Sequence, residues 1–215
     1  MYNLIADSFL YFSQPTTIAA FLIAAYFIST NKNYSIQLAA LCALGILVNV
    51  VLKGYFKVPL ASFISHPGFA FPSGHTQFAT VFYGYIAFFG LPNQIDNKKH
   101  TSFITRQDLN IRIIISSILI CGIGFGLVHY HYHTIGEVIA GFVAGMALLF
   151  LYRYALLRFT KTFPYIILIT ASALLGITYI LYTKLECYVW VAYFIACVTA
   201  VGLCCRFKAA KQHAK

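Results

Sequence analysis

Charge is what this sequence has least of. Only 9% of its 215 residues are Asp, Glu, Lys or Arg, against roughly a quarter in an ordinary soluble domain. Acids are scarcest, with five in all: Asp7, Asp96, Asp108, Glu137 and Glu186. So little charge cannot coat a water-facing surface, which excludes a large soluble domain. None of the six cysteines (Cys42, Cys121, Cys187, Cys197, Cys204, Cys205) forms a Cys-x-x-Cys pair, so neither a disulfide framework nor a zinc cluster is indicated. They lie within or at the ends of apolar stretches, where cysteine packs as a small apolar residue. The first residues lack the positive region of a secretory signal, and no small-residue cleavage site follows, so the first span is expected to be retained. Internal repeats, low-complexity runs and a second domain are also missing.

What fills the chain is apolar: 60% hydrophobic and 17% aromatic. Its apolar segments approach or exceed the about 20 residues a helix needs to cross a bilayer. The expected fold is all-α, a polytopic membrane helix bundle of about seven spans. Residues 1–14 read as an interfacial helix broken at Pro15, followed by a span over about 16–30. Further spans are expected over about 36–56, 72–92, 111–128, 134–154, 164–183 and from the Lys184-Leu185-Glu186 turn to about Cys205. The whole chain, 1–215, is expected to form one integral membrane domain, with its motif-bearing core at about 36–158.

The formal charge of +10 invites a nucleic-acid reading, which its distribution excludes. The basic residues stand between apolar spans and form no amphipathic surface with interleaved aromatics. Seven alternating spans put Lys32, Lys98, Lys99, Arg106, Arg112, Arg153, Arg158, Lys161, Arg206, Lys208, Lys211 and Lys215 on one face. Only Lys53, Lys57 and Lys184 of the 15 Lys and Arg residues fall on the other. By the positive-inside rule the first face, with the C-terminus, is cytoplasmic. The second face is then periplasmic or lumenal, and a short, nearly loop-free chain suits a bacterial inner membrane.

Three polar stretches gather on that outer face. Phe71-Pro72-Ser73-Gly74-His75-Thr76 opens an apolar helix. Proline suits a first turn and serine a helix start, and the unpaired amides and dipole of a helix N-terminus attract phosphate. Lys53 and Lys57 close the preceding apolar helix. His129-Tyr130-His131-Tyr132-His133 precedes the next, and Glu137 follows His133 by four residues, on one face if the segment from Thr134 is helical. The outer face offers only Asp7, Glu137 and Glu186 as carboxylates. An imidazole nucleophile needs its attacking nitrogen unprotonated, and a carboxylate on the other nitrogen secures that.

A lysine, then Pro-Ser-Gly-His, then His-x-x-x-acid, in this order, resembles the type 2 phosphatidic acid phosphatase superfamily over about residues 50–145. The family's motifs read Lys-x6-Arg-Pro, Pro-Ser-Gly-His and Ser-Arg-x5-His-x3-Asp. The resemblance implies a metal-independent membrane phosphatase without cofactor, acting on a lipid phosphate among membrane lipids. It implies that His133 attacks phosphorus to form a phosphohistidine, that Glu137 orients it, and that His75 protonates the leaving oxygen. Lys53, Lys57 and the Ser73, Gly74 and His75 amides would hold the phosphate oxygens.

The sequence departs from the pattern at three points. Counting from Lys53, the family's Arg-Pro falls on Leu60-Ala61; counting back from His133, its Ser-Arg falls on Gly126-Leu127. Both arginines are absent, and Glu137 replaces aspartate. A lysine is a point charge where arginine is a fork, so Lys57, His66, His129 or His131 would have to compensate. Ser-Gly-His-Thr and the run after His133 are also similar to sphingomyelin synthases, which keeps lipid headgroup transfer open. A catalytically inactive lipid-phosphate binder is a third reading. A zinc site on His129, His131 and His133, or on His129, His133 and Glu137, is a fourth.

Overall fold

The computed structural model describes residues 2–28, 32–60, 68–89, 106–182 and 184–212. His66, Lys98, Lys99 and Lys215 lie outside the described residues. Eight helices occur in the described residues: α1 (Tyr2–Tyr11), α2 (Pro15–Ile28), α3 (Lys32–Phe56), α4 (Gly74–Phe89), α5 (Arg106–His129), α6 (Ile135–Arg158), α7 (Phe163–Leu181) and α8 (Cys187–Gln212). The protein is an all-α integral membrane protein.

Five helices are long and apolar enough to cross a membrane: α3, α5, α6, α7 and α8. A sixth span arises if α1 and α2, bent by 47° at their junction, count as one. The span expected over about 72–92, α4, has 16 described residues, about 24 Å at 1.5 Å per residue, and falls short of the same length. The expected break falls where Pro15 opens α2, and α1 packs along α5.

The spans are apolar on every side because their solvent is lipid, so burial comes from position in the bundle. α3 is the central helix, touching α2, α4, α6, α7 and α8. Of its apolar window 56% is buried inside the protein, against 22% for α6 and α7, which face outward. Leu38, Leu41, Leu47, Val81, Ile123, Leu149 and Ile167 fill the core around it. Polar side chains tie the helices internally, as they must in lipid. The Tyr152 hydroxyl donates to the Gln37 carbonyl at 2.8 Å, and that of Tyr85 to Gln37 Oε1 at 2.9 Å.

One close approach fixes the site. Gly141 and Gly145, one turn apart on α6, face the first turns of α4. A Cβ on Gly141 would stand 2.5 Å from the Ser73 carbonyl oxygen, and one on Gly145 would stand 2.8 Å from that of Gln77. Only bare backbone lets α6 lie this close, and it brings the α6 N-terminus beside that of α4.

Candidate active site

The site is assembled at one end of the bundle from helix termini. α3 ends there in a left-handed residue, Lys57 (φ 50°), whose N–H returns to the Lys53 carbonyl at 2.9 Å. This single closing bond is a standard way of satisfying a helix C-terminus. It leaves Lys53 half-buried one turn back and Lys57 exposed at the rim. The chain returns toward α4 with the Ala70 N–H donated to the Val58 carbonyl at 2.8 Å. Phe71 then packs edge-on against Phe56, 4.8 Å between ring centroids.

Ser73 caps α4 and is fully buried. Its Oγ accepts the Thr76 hydroxyl at 3.1 Å and faces the Thr76 N–H at 3.5 Å. Its own N–H is donated to the Glu137 carbonyl at 3.0 Å, so Ser73 joins the two helix N-termini. The Ser73 amide is thus already engaged, and the first-turn amides open to a ligand are those of Gly74 and His75. His75 is exposed at the helix head.

α5 ends in a left-handed turn at His131 (φ 55°). The His131 N–H reaches the Val128 carbonyl at 3.0 Å and the Tyr132 N–H reaches that of Leu127 at 3.0 Å, the paired bonds of a Schellman ending. The His133 N–H also converges on Leu127, at 3.3 Å. Thr134 then caps α6. Its Oγ1 accepts the Glu137 N–H at 3.3 Å, and Glu137 Oε2 accepts the Thr134 N–H at 3.0 Å, a complete capping box.

The same Glu137 Oε2 lies 2.9 Å from His133 Nδ1. An ionised carboxylate only accepts, so Nδ1 carries the proton and Nε2 is left with its lone pair free. Both side chains are largely buried, at 7% and 12% exposure. Burial pushes the His133 imidazole below its ordinary pKa. The Glu137 hydrogen bond and charge pull upward, the Lys53 charge pushes down, and the net direction is down.

His75 feels the charges of both His133 and Lys53, and Lys53 those of Glu137 and Glu186. Lys53, His75, His133 and Glu137 are thus linked by their charges around the His133–Glu137 contact. The proposed zinc arrangements do not form. His129 turns to Asn3, His133 to Glu137, and His131 is exposed. No group of three His, Cys, Asp or Glu is placed to share an ion among the described residues.

The PAP2 superfamily pattern matches residues 34–161, more than half of the chain. The chain belongs to the PAP2 superfamily. It is similar to phosphatidylglycerophosphatase B of Bacillus subtilis (strain 168), 30% identical over 110 residues, which are 50% of this chain and 50% of that one. This chain therefore spans about half the length of that relative. A solved structure of a transmembrane PAP2 type phosphatidylglycerolphosphate phosphatase from Bacillus subtilis superposes with a TM-score of 0.58 at 22% identity. It covers 69% of this chain and 73% of its own, a likeness of fold.

Sequence reasoning missed three polar residues behind the site. Thr134 was legible, because Thr-Ile-Gly-Glu before an apolar run is a capping box. Asn49 and Gln77 were not. Asn49 stands one turn before Lys53 on α3, and its Nδ2 donates to Gln77 Oε1 at 2.9 Å. Gln77 Nε2 donates to the Gly45 carbonyl at 3.1 Å. A Cβ on Gly74 would meet Asn49 Oδ1 at 2.9 Å, so this glycine lets α3 lie against the first turn of α4.

Proposed function

We propose that this PAP2 protein is a membrane phosphatase that hydrolyses a lipid phosphomonoester or diphosphate on the outer face of the membrane through a phosphohistidine. The observation that carries the reading is the His133 Nδ1–Glu137 Oε2 contact of 2.9 Å, with His75 and Lys53 in electrostatic reach. The carboxylate fixes the tautomer whose Nε2 attacks phosphorus. The bond from phosphorus to the leaving oxygen breaks, and that oxygen takes a proton from His75. Water then attacks the phosphohistidine, gives its proton back to His75, and releases inorganic phosphate with Nε2 free again. Lys53 and the Gly74 and His75 amides hold the non-bridging oxygens, where charge stabilisation matters most in phosphoryl transfer. Lys57 stands at the rim, where it meets the headgroup before the phosphate seats.

A lipid substrate is favoured because the site is formed by helix ends among Phe56, Phe71, Tyr132 and Tyr182, and aromatic residues at helix ends favour the level of lipid headgroups. The names of both relatives make phosphatidylglycerophosphate the first substrate to try. The excess of Lys and Arg on the opposite loops supports an outer-facing site and a cytoplasmic C-terminus, in a bacterial inner membrane.

The test is phosphate release by the purified protein in detergent, with a chelator and no added metal, from phosphatidylglycerophosphate, phosphatidic acid and a polyprenyl diphosphate. Release that disappears in His133→Ala is expected. No release from any lipid would overturn hydrolysis. Headgroup appearing on an added acceptor lipid would then support transfer, and saturable binding without turnover would support an inactive relative.

A further inference from the structure

α1 lies outside the part of the chain that matches the family pattern, yet it reaches the turn that carries His133. Its docking surface is a glycine stripe on α5. A Cβ on Gly122 would meet the Phe9 ring at 2.3 Å, and one on Gly126 would meet Leu10 Cγ at 3.0 Å and the Ala6 carbonyl oxygen at 3.2 Å. Ala6 is fully buried in this contact. Gly126 is one of the two positions where the family pattern places Ser-Arg, so a helix stands here where a serine side chain would begin.

Apolar packing of this kind is enough to hold α1 on α5. The polar residues of α1 do something more. Asn3 Oδ1 receives the Nε2–H of His129 at 2.8 Å, and the His129 ring is stacked on Phe125, with centroids 5.6 Å apart. Asp7 Oδ1 receives the Tyr130 hydroxyl at 2.7 Å, and that hydroxyl also faces the Asn3 carbonyl at 3.3 Å. His129 and Tyr130 are the last residues before the left-handed His131. The N–H groups of Tyr132 and His133 both hang from Leu127, one turn back. Any fraying or rotation of that last turn therefore moves His133 directly.

We propose that α1 braces the His133 turn, with Asn3 and Asp7 as positioning residues that act through His129 and Tyr130. Neither touches the substrate. The inference rests on His133 being the nucleophile, since it concerns where that ring is held. A displacement of about 1 Å is enough to cost on the order of 10²-fold in a reaction that depends on alignment.

The experiment uses the full-length protein in detergent, comparing wild type with Tyr130→Phe, Asp7→Ala, Asp7→Asn and the Tyr130→Phe/Asp7→Ala pair. Steady-state kinetics are read beside hydrogen–deuterium exchange of residues 130–134. Tyr130→Phe and Asp7→Ala should each lower kcat about tenfold with KM within about twofold. Asp7→Asn, whose amide oxygen still accepts the hydroxyl, should stay within about threefold of wild type. The pair should be no worse than either single change, as expected for two ends of one contact. Amide exchange across 130–134 should quicken in both single variants and not in Asp7→Asn. An unchanged kcat, a rise in KM alone, or additive losses that follow a lowered Tm would overturn the brace. If wild type shows no His133-dependent turnover, the phosphatase reading fails separately. Exchange then decides alone, and unchanged protection of 130–134 in Tyr130→Phe would overturn the inference.

Discussion

Glu137 Oε2 accepts the Nδ1–H of His133 at 2.9 Å and the backbone N–H of Thr134 at 3.0 Å. One oxygen thus orients an imidazole and caps a helix. Both contacts use the length of the glutamate: a capping box places Glu or Gln three residues after the cap, and the shorter aspartate would hold the two donors less well at once. Glu137→Asp should therefore lower kcat by about 10²-fold, within the range for a misplaced acid–base partner. Its Tm should fall by the equivalent of about 1 kcal/mol for a weakened cap. Glu137→Gln keeps the length and should preserve Tm while lowering kcat. Equal activity in all three proteins would remove Glu137 from the mechanism.

The acid limb of the pH–rate profile follows from the burial of His133. A nucleophilic imidazole works in its neutral form, and a free one titrates near 6.5. Here the net direction is downward, so the neutral form persists to lower pH and the acid limb of kcat/KM should lie below about 6.5. Glu137 pulls the value up. Glu137→Gln removes that pull, and should move the limb further toward acid while lowering the plateau. A limb that lies above neutrality, or moves toward base in Glu137→Gln, would contradict the assignment.

The α4–α6 contact predicts a contrast between two glycines. A Cβ on Gly141 would stand 2.5 Å from the Ser73 carbonyl oxygen, whereas one on Gly176 in α7 would meet nothing within 4 Å. Backbone cannot swing aside as a side chain does. Gly141→Ala should cost about 1–3 kcal/mol as an overpacked contact, and should lower kcat by moving His133 away from His75. Gly176→Ala should leave kcat alone and raise stability by roughly 0.5–1 kcal/mol through the better helix residue. Thermal unfolding in detergent beside kcat separates the two. A neutral Gly141→Ala would show that α6 does not lie this close.

Most of the bundle was legible because lipid imposes one simple rule, a run of apolar residues per span. The expected span at 164–183 is α7 at Phe163–Leu181, and the one at 134–154 is α6 at Ile135–Arg158, which starts one residue later because Thr134 is its cap and runs four residues further. The seat of α1 was not legible. Its composition marks it as apolar, but it rests on Gly122 and Gly126, more than a hundred residues away. Glycines on a helix permit a close contact without naming the partner. The first-order site was legible where spacing carries geometry: His133 and Glu137 are four apart on adjoining turns. The Asn49–Gln77 bond joins residues 28 positions apart on different helices, and no local pattern records it. The engaged Ser73 amide likewise depends on α6, which the motif does not contain.

The two lysines of α3 should behave differently. Lys57 is exposed, and its φ of 50° suits glycine better than any branched or long side chain. Lys57→Gly should therefore fold at least as well as wild type and reduce kcat by no more than about threefold, with any effect in KM, as for a charge at the mouth of the site. Lys53 is half-buried, and its charge acts on both His75 and His133. Lys53→Gln should lower kcat by about 10²-fold or more, the scale seen when one preorganised charge-stabilising donor is lost. With Leu60 and Leu127 at the places where the family pattern has arginine, the proposed mechanism would give Lys53 a larger share of the phosphate's charge than that pattern assigns it. Side-by-side kcat and KM for the two variants test this directly. A Lys57→Gly loss as deep as that of Lys53→Gln would mean that the rim lysine reaches the phosphate and has taken over an arginine's place.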